Sequence, residues 1–84
     1  MSEQLKALAI ARDAHETREQ VKFLLGDSYG FRVEPFKVVI RAAIAKHPEH
    51  SPITIALAVA KAMTNPVQVG LCVAAALDIV EETP

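Results

Sequence analysis

The sequence predicts an all-α, compact four-helix single domain spanning residues 1–84, and three observations carry that expectation. Ala7, Ile10, Ala14, Thr17, Val21 and Leu24 recur at alternating steps of three and four, which places them on one helical face. Leu25-Gly26 reads as a helix stop, because glycine takes the left-handed conformation after a helix at no steric cost. Ser51-Pro52 and Asn65-Pro66 each pair a capping side chain with a proline suited to the first helical position.

Helices are expected over residues 3–25, 35–47, 52–64 and 66–81. Ser2 is a suitable N-cap for the first, and Glu3 suits the positive first turn. Residues 27–33 are turn-rich and read as a loop, with Tyr29 and Phe31 pinning it to the core. Glu34-Pro35 then reads as the start of the second helix, whose buried stripe holds Phe36, Val39, Ile40 and Ala43. The last two helices form a tight hairpin that is apolar nearly all round. Helices 1 and 2 are expected to pack round it through Ile10, Val21, Leu24, Phe36, Val39 and Ile40.

Composition bounds what such a domain does. The 84 residues are 51% hydrophobic but only 5% aromatic, with no Trp, so the apolar excess consists of small aliphatic side chains. A core of that kind leaves a short chain marginally stable and favours a second copy or a partner. Two greasy hairpin helices also exceed what the remaining chain can cover, so an apolar face is expected to remain on helix 3 or 4.

A net charge of −1 gives no global attraction to nucleic acid or anionic membrane. The middle of the chain is mildly basic, whereas the tail holds Asp78, Glu81 and Glu82 with no basic residue after Lys61. The single Cys72 excludes an internal disulfide, and the N-terminal residues lack a secretory h-region. The apolar stretch from Ser51 to Leu77 is broken at Asn65-Pro66, which leaves each half shorter than the roughly 20 residues a bilayer needs. A cytoplasmic protein without membrane insertion is the expectation.

Chemistry finds little purchase. His47-Pro48-Glu49-His50 and His15-x-x-x-Glu19 are the nearest metal patterns, and both fall short of a convergent ligand set. Cys72 lies between Leu71 and Val73 and reads as a buried, inert thiol. The glycines are scattered and form no phosphate loop. No catalytic residue, cofactor or metal is assigned.

The expected function is a non-catalytic protein-interaction module, a homodimer or a regulatory adaptor or inhibitor docking on another protein. Its candidate interface is Val67, Gly70, Leu71 and Ala74 on helix 4, with Tyr29 and Phe31 as aromatic anchors. The alternative is a helix-turn-helix-like nucleic-acid-binding regulator. It would use a basic face of helices 1 and 2 formed by Arg18, Lys22, Arg32, Lys37 and Arg41.

Overall fold

The computed structural model describes residues 3–82, with side chains described over 13–82. The expected N-cap Ser2 and core residue Ile10 lie outside those limits. Helix α1 spans Glu3–Leu25, a 3-10 turn spans Gly26–Ser28, and helix α2 spans Tyr29–Lys46. Helix α3 spans Pro52–Ala60 and helix α4 spans Pro66–Glu82, with no strand among the described residues.

The all-α class is correct, but four separate helices are not what forms. Helical structure runs from Glu3 to Lys46 without a single non-helical residue, so the described chain makes three uninterrupted helical stretches. The first stretch changes direction at Gly26, whose φ of 55° ends α1 in the left-handed conformation. The expected loop over 27–33 is absent, and Pro35 lies inside α2 instead of opening it. Interior proline costs a helix about 3 kcal/mol. What offsets it is tertiary: Tyr29, Val33, Phe36, Ile40 and Ile44 recur at helical spacing and pack on the core.

The two cap-proline starts behave as expected. Ser51 Oγ accepts a bond from the Thr54 N–H at 3.2 Å, and Asn65 Oδ1 accepts from the Val67 and Gln68 N–H groups at 2.8 and 3.3 Å. Helix α3 stops at Ala60, short of the expected residue 64. Beyond it the backbone tightens into bonds from Ala62 N to Val59 O and from Met63 N to Ala60 O.

The expected pairing of α3 with α4 forms, and within it α4 takes the centre of the molecule. Gly70, Leu71, Cys72, Ala74, Ala75, Ala76, Leu77 and Ile79 are all buried, and α1, α2 and α3 each pack against this one helix. Its run of small residues lets three helix backbones approach it. Gly70 marks the closest approach of α1: a Cβ there would lie 2.6 Å from Val21 Cγ2. Helix α3 is peripheral, with Leu57 partly exposed.

Val21 and Ile40 are buried and Phe36 packs against the core as expected, whereas Leu24 is 68% and Val39 52% exposed. On α1 the inward stripe is Ala14, Arg18, Val21 and Leu25, rotated from the expected one because Arg18 turns towards the end of α4. On α2 the stripe through Val33, Lys37 and Ile40 leaves Val39 to one side.

Candidate protein interface

The acidic end of α4 is the most densely bonded region described. Carboxylates in the last turn of a helix oppose its macrodipole, at roughly 0.3–1 kcal/mol each when exposed. Asp78, Glu81 and Glu82 occupy that end, and α1 and α2 supply cations to meet them. Arg18 from α1 is only 7% exposed. Its Nη1 donates to Asp78 Oδ1 at 3.0 Å and to Glu81 Oε2 at 2.8 Å, while Nη2 donates to Glu81 Oε1 at 2.6 Å. Nη2 also lies 3.4 Å from His15 Nδ1, and Nε is buried without a bonding partner among the described residues. The Tyr29 hydroxyl donates to Asp78 Oδ2 at 2.8 Å.

A second cluster sits beside the first. Lys37 Nζ and Arg41 Nη2 both donate to the Glu82 carboxylate. Glu34 lies 3.9 Å from Lys37 Nζ and 3.7 Å from Arg41 Nη1. The bond from Arg18 holds the Glu81 carboxyl below the usual range, and the bond from Lys37 does the same for Glu82. Burial, reinforced by the bond to Asp78, pushes the Tyr29 phenol up.

This arrangement dismantles the expected basic face. Arg18, Lys37 and Arg41 spend their charge on α4's carboxylates, and Lys37 is itself buried. Lys22 Nζ lies 5.4 Å from the centre of the Tyr29 ring, and Lys22 and Arg32 are both exposed. Part of the signal for this clamp stood in the sequence: a mildly basic middle holding Lys37 and Arg41 and an acidic tail, with Arg18 outside that middle.

The residues of the expected interface on α4 lie mostly inside the fold. Gly70, Leu71 and Ala74 are enclosed by the chain's own helices, and Val67 packs half-buried against the core. Gly70 faces Val21 and Thr17 of α1, so its small size serves an internal contact. Tyr29 is half-buried and bonded to Asp78, not an anchor awaiting a partner. Phe31 alone among the expected interface residues stands in solvent, at 85% exposure.

Phe31 belongs to an exposed apolar face that sequence reasoning missed. With α2 beginning at Tyr29, residues Phe31, Pro35, Val38, Ala42 and Ala45 fall at steps of four, three, four and three, and all five are exposed. That is the spacing of a coiled-coil seam. Val39 borders it at 52% exposure. A loop over 27–33 and a proline start at 35 concealed the stripe, because they removed Phe31 from the helix. Across the elbow, Phe23 and Leu24 on α1 are also exposed, at 88% and 68%.

Cys72 is fully buried, its Sγ donates to the Ala56 carbonyl at 3.4 Å, and burial pushes the thiol pKa up, away from thiolate. An apolar cleft of about 150 Å³ between α2, α3 and α4 is lined by Pro35, Phe36, Val39, Ile40, Val59, Met63 and Cys72, with no charged side chain to orient a ligand. Glu49 Oε1 lies 3.6 Å from both His47 Nδ1 and His50 Nε2 in an exposed turn. No cluster suited to a metal ion occurs among the described residues. No helix among them is long and apolar enough to cross a membrane.

No family model matches the chain, and neither the curated proteins nor the solved structures offer a significant match.

Proposed function

We propose that this chain is a non-catalytic protein-interaction module that docks through the outer face of α2. The observation that carries the reading is the exposed stripe Phe31, Pro35, Val38, Ala42 and Ala45 on a helix whose opposite side is firmly packed. Each large apolar side chain left in water forgoes roughly 1.5–3 kcal/mol of burial, and monomeric domains seldom keep such side chains in a continuous row. The helix presenting them is rigidly held by Val33 and Ile40 in the core and by Lys37 on Glu82. A rigid apolar face loses little conformational entropy on docking.

The nucleic-acid alternative loses its footing in the ion pairs described above. A phosphate-binding surface needs uncommitted cations, and three of the five candidates are bound to carboxylates.

The test is a surface variant. Val38→Asp places a charge on the exposed seam, at a side chain 58% exposed and outside the buried core, so helicity and thermal stability should hold. Association, with itself or with a protein captured by the tagged chain, should fall at least about tenfold. Unchanged association in a folded Val38→Asp variant contradicts docking through this face.

A further inference from the structure

We infer that the occupant of the α2 face is a second copy of this chain, seated antiparallel so that residues 35–38 of the two helices cross on a two-fold axis. The inference rests on the docking reading above and adds the identity and orientation of the partner.

The argument lies in what flanks the seam. If Phe31, Val38 and Ala45 take one seam position and Pro35 and Ala42 the other, Glu34 and Arg41 fall seven residues apart along one edge. Arg32, Val39 and Lys46 form the opposite edge. In a parallel pair the two edges face each other across the seam, which sets Arg41 of one copy against Lys46 of the other. Like charges there are unfavourable. In an antiparallel pair each edge faces its own copy, and Glu34 can oppose Arg41 twice, once on each side of the axis.

Register follows from the same two residues. Glu34 meets Arg41 of the second copy when Phe31 lies against Ala42 and Pro35 against Val38. Sliding one copy by a heptad either way sets Glu34 against Glu34 or Arg41 against Arg41. The allowed register also places the largest side chain of the seam opposite one of the smallest, so the helices can close without a gap. Volume and charge therefore select one arrangement. Within one chain Arg41 Nη2 stays on Glu82 at 2.5 Å, while Nη1 lies 3.7 Å from Glu34 Oε1 on a side chain 46% exposed, so Nη1 is the nitrogen that can turn to Glu34 of the second copy. An 18-residue helix is about 27 Å long, a small contact area suited to micromolar association.

Charge reversal in the full-length chain tests this. Glu34→Lys alone and Arg41→Glu alone each set two like-charge pairs across the axis and should weaken self-association roughly fivefold to tenfold by sedimentation. An equimolar mixture of the two restores opposite charges at both positions and should form a heterodimer at close to the wild-type affinity. Circular dichroism on each variant separates lost pairing from lost folding, and if Arg41→Glu folds poorly through loss of its bond to Glu82, Glu34→Lys, which leaves that bond in place, still decides by its own fivefold to tenfold weakening. A wild-type chain that stays monomeric overturns the second-copy assignment, as does a folded mixture that gains nothing over its components. Either outcome leaves docking on a different protein to be decided by capture with and without Val38→Asp.

Discussion

The Arg18 guanidinium grips the Glu81 carboxylate with both terminal nitrogens, at 2.8 and 2.6 Å, across 63 residues of sequence. This contact ties the start of the ordered core to its end. It also explains a local contradiction, since Asp78, Glu81 and Glu82 crowd the negative end of α4, where helix electrostatics alone would exclude them. With α1 and α2 supplying the cations, the end of the central helix becomes the point where three helices are held together.

Removing the grip should be costly. Arg18→Ala leaves Asp78 with only the Tyr29 hydroxyl and opens space in a buried site. A loss of about 1–3 kcal/mol is expected, because hydrogen-bonded partners are left unpaired near the core. Chemical denaturation measures it. Stability within about 0.5 kcal/mol of wild type would show that the cluster only decorates the surface.

Stability should depend on pH from both sides. The Glu81 and Glu82 carboxyls are held low in the folded chain, so their stabilisation is complete above the ordinary glutamate range near about pH 4.3. It is lost as pH falls through their folded-state values. The Tyr29 phenol is pushed up, so its stabilisation is complete below about pH 10 and is lost as pH rises beyond that. Unfolding curves recorded across pH should show a plateau between these limits. Tyr29→Phe should flatten the alkaline limb and leave the acid limb in place; persistence of the alkaline limb in that variant would assign it elsewhere.

Two glycines within helices should respond in opposite senses to the same substitution. At Gly70 an alanine Cβ would lie 2.6 Å from a methyl of Val21, a stiff β-branched side chain on a packed helix. The overpacking of about 1–3 kcal/mol outweighs the roughly 1 kcal/mol of helix propensity that alanine adds. Gly70→Ala should therefore destabilise. Gly30 has nothing within 4 Å of the same added atom, so Gly30→Ala should leave stability unchanged or raise it slightly. Thermal melts of the two variants side by side check the pair, and a stabilised Gly70→Ala would refute the close approach of α1 to α4.

The helical class was legible because periodicity, caps and the Gly26 stop are local signals. The Ser51 and Asn65 caps appear as read. Interior Pro35 was misread because proline's local preference for a first turn lost to tertiary packing of Tyr29, Val33 and Ile40. That single boundary hid Phe31 from its helix and with it the exposed seam. Of the uncovered apolar face expected on α3 or α4, Leu57 and Val80 are exposed as single side chains, whereas the continuous stripe lies on α2. An apolar helix with alanines at 74, 75 and 76 can be wrapped by three neighbours at close range, so it takes the centre, and the neighbours keep most of the exposed apolar side chains. The charge complementarity between the basic middle and the acidic tail was visible, but only the fold could direct it inward.

Sedimentation of the untagged chain across a range of concentrations tests the role of the α2 seam most directly. The account predicts a mass that rises from 9.1 kDa towards twice that value over about 1–100 µM, and a Val38→Asp chain of equal helicity that remains at 9.1 kDa. A wild-type chain fixed at 9.1 kDa throughout, or a Val38→Asp chain that associates equally well, would contradict it.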